Sequence, residues 1–176
     1  MAAKDLFPNL LAPSRIGELA LRNHMVMPPM ITRYSTRDGF VTQRNVDYYV
    51  ARAAGGVALV IVEVACVDFP RGNARSHQIG IDDDKFLPGL SDLARAIKEQ
   101  GARAMIQIHH AGREAQLAGR DLQPVAPSAI RSINPLLGVP RALTVAEIEE
   151  LIRRFVDAAA RAERAGFDGV EVHGAH

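Results

Sequence analysis

The sequence predicts an α/β fold with a parallel sheet, arranged as the N-terminal half, strands 1–4, of an eight-stranded (β/α)₈ barrel with a small N-terminal β-hairpin cap. Two observations carry that expectation. Three times along the 176 residues an amphipathic pattern ends at glycine and is followed at once by a short apolar run. Strands that are apolar on both faces and alternate with helices belong to a parallel sheet buried between layers. The second observation is where the polar residues fall, which is at the C-terminal ends of the strands.

Ile16-Gly17-Glu18-Leu19 reads as the tight turn of a hairpin covering one end of the sheet, and Met25-Val26-Met27 as the first barrel strand. The first helix is expected from near Thr42, with Val46, Tyr49, Val50, Ala53 and Ala54 on one face and a stop at Gly55-Gly56. Val57–Val62 follows as the second strand. Leu90, Leu93, Ala94 and Ile97 mark the second helix, which stops at Gly101 and leads into Ala104–Ile108. The third helix opens on Thr144-Val145-Ala146-Glu147, a capping box in which each side chain satisfies an end amide. Its expected apolar face is Ile148, Leu151, Ile152, Phe155 and Ala159; it stops at Gly166 and gives Val170-Glu171-Val172. Glycine suits these stops because the left-handed cap conformation costs it nothing sterically. The stretch from Gly112 to Arg141 reads as loop over the barrel mouth.

This order fits an open doubly wound sheet or half of a closed barrel. The strand ends decide between them: Pro28-Pro29-Met30, Glu63, Gln107-Ile108-His109-His110 and His173-Gly174-Ala175-His176. In a barrel such ends converge on one mouth. An open nucleotide-binding sheet would carry a glycine-rich turn after its first strand, where this chain has Pro-Pro.

Composition narrows the function classes. A net charge of +1, without basic blocks, gives no electrostatic case for nucleic acid or an anionic membrane. No apolar run approaches the roughly 18–20 residues that cross a bilayer. A lone cysteine, Cys66, cannot form an intrachain disulfide, which fits a reducing, cytoplasmic setting.

Leu6–Leu10, Arg22–Met30, Gln107–Arg113, Ala126–Ala129 and His173–His176 occur in the order found in flavin reductases of the Old Yellow Enzyme family. The chain resembles the N-terminal half of that family's barrel along essentially its whole length, including the enoate and 2,4-dienoyl-CoA reductase branch. The resemblance implies FMN as cofactor, NAD(P)H as reductant, and a small-molecule activated alkene as substrate. It implies that flavin N5 passes hydride to the alkene while an acid protonates the neighbouring carbon.

The same resemblance assigns residues. Pro28, Pro29, Met30, Ile31 and Thr32 match the segment lying against the flavin; two prolines there fix φ and remove amide donors, giving a rigid shelf. The family often carries Cys or Thr after the Met. Ile31 holds that place here, so Thr32 becomes the candidate for the tuning contact. Val64 matches a main-chain contact, and Gln107 the amide that meets the flavin's pyrimidine edge with donor and acceptor together. His173 and His176 match the paired donors under the substrate oxygen, where charge develops during hydride addition. Tyr34 is a further substrate-side candidate, as a specificity residue rather than the acid. His109, His110 and Arg113 are expected to shape or anchor the site, and Glu63 to be a structural ion-pair partner inside the barrel.

Two other readings stay open. His109, His110, His173 and His176 could bind zinc in a metal-dependent hydrolase, although no carboxylate completes the set and the Pro-Pro-Met and Gln features go unexplained. The chain could also be a non-catalytic half-barrel. Residues 1–176 read as one domain truncated after strand four, with an open strand edge expected to pair with a second copy or a complementary C-terminal half.

Overall fold

The computed structural model describes residues 3–117 and 122–175. Two short turns, α1 (Ala3–Leu6) and α2 (Pro8–Leu11), lead into the antiparallel hairpin β1 (Ser14–Ile16) and β2 (Leu19–Leu21). Gly17 turns that hairpin with φ +56°, a conformation that disfavours side chains. Then come β3 (Val26–Met27), α3 (Gln43–Ala54), β4 (Leu59–Cys66), β5 (Ile79–Gly80), α4 (Leu87–Glu99) and β6 (Arg103–His109). A short parallel pair, β7 (Val125–Ala126) and β8 (Arg141–Ala142), interrupts the stretch expected to be loop. The chain continues through α5 (Val145–Arg164) to β9 (Gly169–Val172).

The main sheet is parallel, with neighbours in chain order β3-β4-β6-β9, and β5 adds to β4 at its C-terminal end. Strand order never reverses. One core unites Tyr49 and Ala53 of α3, Leu90, Leu93, Ala94 and Ile97 of α4, and Ala158 and Ala162 of α5 with Val60, Val62, Ala104, Ile106 and Ile108 of the sheet. Those strand residues alternate, so the three long helices cover the same face. Sequential parallel strands with helices on one side form a half-barrel; a doubly wound sheet would carry helices on both. Each fully buried leucine of α4 contributes about 1.5–3 kcal/mol of hydrophobic stabilisation.

The hairpin caps the opposite face. Leu19 and Leu21 pack with Leu59, Ile61 and Met105, closing the sheet near the strand starts. Arg22 fastens this end by donating to the carbonyls of Ala53, Val57 and Gln100.

Helix boundaries follow local chemistry. Thr144 and Glu147 form the expected capping box. Thr42 and Asn45 form a second one. Gly56, Gly101 and Gly166 carry positive φ where the helices stop. Two apolar faces need correction. In α3 the buried residues are Asn45, Tyr49 and Ala53, while Ala54 is exposed. In α5 the sheet takes the stripe Leu151, Phe155, Ala158 and Ala162, and Ile152 lies 58% exposed beside it. α5 has two adjacent apolar stripes, and the sheet with α4 covers one of them. Among the described residues no helix is long and apolar enough to cross a membrane.

Candidate active site

The loop Pro28–Thr32 leaves the end of β3 with Met30 and Ile31 exposed. Its far end is tied down by Glu63, which is fully buried. Thr32 donates to the Glu63 carboxylate twice, from its amide N at 2.8 Å and from Oγ1 at 2.5 Å. Asn45 Nδ2 and the Tyr49 hydroxyl reach Oε1 from α3 at 3.5 and 3.4 Å, and Tyr49 Oη accepts from the Glu63 amide at 2.9 Å. Glu63 therefore sits among neutral hydrogen-bond donors and not in the ion pair expected from the sequence. Burial raises its pKa above the usual carboxylate value, opposed by the hydrogen bonds from Thr32.

A local irregularity makes this possible. β4 spends three residues between Val62 and Ala65 where β6 spends two between Ile106 and Ile108. The extra residue breaks the alternation, so Glu63 reaches α3 and Thr32 while Val64 lines the mouth cavity.

That cavity, about 160 Å³, gathers Ile31, Val64, His109 and His173 with Ala74, Arg75, Ala111 and Glu114. The β3 loop, β4, β6 and β9 each contribute at their C-terminal ends. His109 and His173 face one another with ring centroids 5.7 Å apart. The His173 amide donates to Ile108 O at 3.0 Å, which extends the β6–β9 pairing by one residue and holds the ring at the mouth. Deeper on β6, Gln107 is 6% exposed and donates through Nε2 to Glu171 Oε1 at 2.5 Å, directly across on β9.

Other sequence candidates lie elsewhere. Tyr34 packs edge-on to Tyr48 at 5.7 Å, beneath the Arg44 guanidinium at 3.9 Å, and does not line the cavity. Thr32 turns its hydroxyl to Glu63 and leaves Ile31 as the loop's side chain at the cavity. His176 lies outside the described residues. Arg113 is exposed, with Nε 3.6 Å from Glu114 Oε1.

His110 points to the other side of β6 from His109. It accepts from the Gly112 amide at Nδ1, and its Nε2 lies 3.5 Å from Asp68 Oδ2. Asp68 also pairs with Arg154 of α5. Burial works to raise the Asp68 carboxyl, but His110 and Arg154 outweigh it and hold the pKa below the ordinary value. The opposed directions of His109 and His110 keep the histidines from converging, and among the described residues no group of three metal-ligating side chains forms.

Sequence reasoning missed Gln78, Glu171 and the anchoring role of Glu63. The Thr42-x-x-Asn45 cap was a readable sign that α3 begins beside the β3 loop; nothing local marks Gln78.

Residues 9–176 match the model of the NADH:flavin oxidoreductase / NADH oxidase family. The chain belongs to that family. It is 52% identical over 172 residues to the NADH oxidase of Thermoanaerobacter brockii, covering 97% of this chain and 26% of that protein. It is 42% identical over 169 residues to the NADPH dehydrogenase of Geobacillus thermodenitrificans strain NG80-2, covering 95% of this chain and 48% of that one. The solved Old Yellow Enzyme homologue from Zymomonas mobilis superimposes with a TM-score of 0.84 at 30% identity, over 94% of this chain and 48% of that one. The chain thus spans a quarter to a half of the length of the relatives it matches.

The chemistry of these NADH:flavin oxidoreductases runs through FMN, with NADH or NADPH as reductant, and the donor set suits that cofactor. An amide carries two N–H donors and an acceptor oxygen, of which Glu171 occupies one donor of Gln107. A donor and an acceptor remain for a ring edge that presents both. The Pro28–Ile31 segment, lacking two amide donors, offers an apolar face alongside.

Proposed function

We propose that this chain is the N-terminal half-barrel of an FMN-dependent NAD(P)H oxidoreductase that reduces the C=C bond of an α,β-unsaturated carbonyl-type substrate. The observation that carries the reading is the mouth cavity, where Ile31, Val64, His109 and His173 meet from four segments at C-terminal strand ends. In this reading Pro28, Pro29, Met30 and Ile31 hold the flavin face, with Thr32 locking the loop through Glu63. Val64 lies alongside through its main chain, and Gln107 answers the pyrimidine edge. FMN, when bound, supplies the hydride chemistry that no side chain can.

His173, together with His176, holds the substrate oxygen. Two fixed donors stabilise the negative charge that develops there better than water does, because they need no reorganisation as the charge builds. Tyr34, stacked on Tyr48 and Arg44, serves as a specificity contact of the loop and not as the proton donor.

The partner of the sheet edge belongs to the same reading. Val172 of β9 is 66% exposed, and an apolar parallel edge gains its missing hydrogen bonds from a complementary half-barrel segment or a second copy.

The test is an absorbance spectrum of the purified chain after loading with FMN and removal of what stays free, followed by NADH and NADPH in turn. A retained yellow band that Gln107→Leu weakens supports the reading. A colourless chain that stays colourless when a C-terminal half-barrel is added would refute the flavin site. Size-exclusion chromatography with light scattering should give a dimer or a complex with the added half; a stable monomer indifferent to it argues against the edge assignment.

A further inference from the structure

His109 is 2% exposed, so every polar atom of its ring has a defined neighbour to answer to. Its Nε2 lies 2.7 Å from Nε2 of Gln78, itself fully buried. Two nitrogens at that distance must be one donor and one acceptor. The other end of Gln78 decides which is which. Gln78 Oε1 accepts from the amides of Ala74 at 2.9 Å and Arg75 at 3.4 Å. Turning the side-chain amide over would set its NH₂ against those two N–H groups and leave all three without an acceptor. The oxygen therefore stays with the backbone, and the NH₂ faces His109.

A primary amide nitrogen donates and does not accept. His109 Nε2 must accept, and a proton there would collide with the Gln78 NH₂. The ring then carries its proton on Nδ1. We infer that Gln78, acting as a positioning residue, fixes His109 as the Nδ1–H tautomer and so makes it a hydrogen-bond donor in the wall of the cavity it shares with His173, selective for ligands that bring an acceptor oxygen. The ligand class rests on the ene-reductase reading; the tautomer does not.

The neighbouring histidine is an internal contrast. His110 Nδ1 accepts from the Gly112 amide at 3.0 Å, so its proton belongs on Nε2, on the side of Asp68. Two consecutive histidines thus carry opposite tautomers, each set by a partner that nothing in the local sequence names. A donor is what a cavity needs if it is to prefer a carbonyl or nitro oxygen over a hydrocarbon of the same shape, since an unanswered buried N–H penalises the hydrocarbon.

The experiment is a long-range ¹H–¹⁵N correlation spectrum of the whole chain labelled in histidine nitrogen, with the rings assigned sequence-specifically. The expected pattern is a protonated Nδ1 for His109 and a protonated Nε2 for His110. Gln78→Glu, which places a carboxylate oxygen against Nε2, should convert His109 to the Nε2–H pattern and leave His110 unchanged. A wild-type His109 with its proton on Nε2 overturns the inference whether or not the variant folds. In the flavin-loaded protein, His109→Phe should raise KM for 2-cyclohexenone about tenfold, the usual weight of one hydrogen bond in a dry site; an unchanged KM removes the ligand-facing role while the nitrogen pattern still decides the tautomer. Failure to retain flavin would count against the ene-reductase reading alone.

Discussion

The end of β6 has two sides built from the same residue type to opposite purposes. On the inner side His109 meets His173, Val64 and Ile31 around a cavity. On the helix-covered side His110 meets Asp68, which Arg154 secures from α5. The packing there is tight enough to require Gly72, since a Cβ at that position would come within 2.8 Å of His110 Cδ2 and 3.0 Å of Cys66 Sγ. The inner side keeps space and hydrogen-bond capacity; the outer side spends both on holding loops to helices. Strand alternation alone produces the split, because adjacent residues point to opposite faces.

The two sides should therefore fail differently. The largest effect is expected inside. His173→Ala in the flavin-loaded protein should raise the barrier for alkene reduction by roughly 2.7–4 kcal/mol, a rate loss of about 10²–10³, with little change in thermal midpoint. A kcat drop of less than tenfold would deny His173 its role. Next comes the anchor beneath the β3 loop: Tyr49→Phe leaves the Glu63 amide without its acceptor and should cost about 1–2 kcal/mol in urea denaturation.

Acid titration sharpens the comparison, because Glu63 and Asp68 are shifted in opposite directions. Asp68 has a depressed folded pKa. Its contribution is complete above the unfolded value of 3.8 and is lost as pH falls through the lower folded value. Glu63 has a raised folded pKa. Its contribution is complete below the unfolded value of 4.5 and declines as pH rises through the higher folded one. Asp68→Asn should cost about 1 kcal/mol at pH 7 and less at pH 3, read from denaturation curves at both. A cost that is the same at both pH values would break the assignment. The smallest effect is expected on the uncovered stripe of α5: Ile152→Lys should change stability by less than about 0.5 kcal/mol, where a core position would lose several times that.

Much of the scaffold was readable because its signals are local. Thr144 with Glu147 marks a helix start, Gly101 and Gly166 mark stops, and Leu90, Leu93, Ala94 and Ile97 describe a helix face that the structure buries residue for residue. Ile152 misled because periodicity reports that a helix has an apolar face and not which of two adjacent stripes finds a neighbour. β5 escaped because two residues, Ile79–Gly80, carry no period. At the site, Pro28–Ile31, Gln107 and His173 were legible as strand-end residues. Gln78 was not, standing 31 positions from His109, and Glu63 was seen without its partners.

The sequence by itself determined the alternation of strands and helices, their caps, and the clustering of polar residues at strand ends, since each depends on residues a turn or a strand apart. Only the tertiary structure decided that Glu63 locks Thr32, that His109 and His110 divide between two faces with opposite tautomers, and which stripe of α5 is core. Those outcomes depend on groups that meet across tens of residues, and a hydrogen bond or a covered face exists only once folding has brought both partners to the same place.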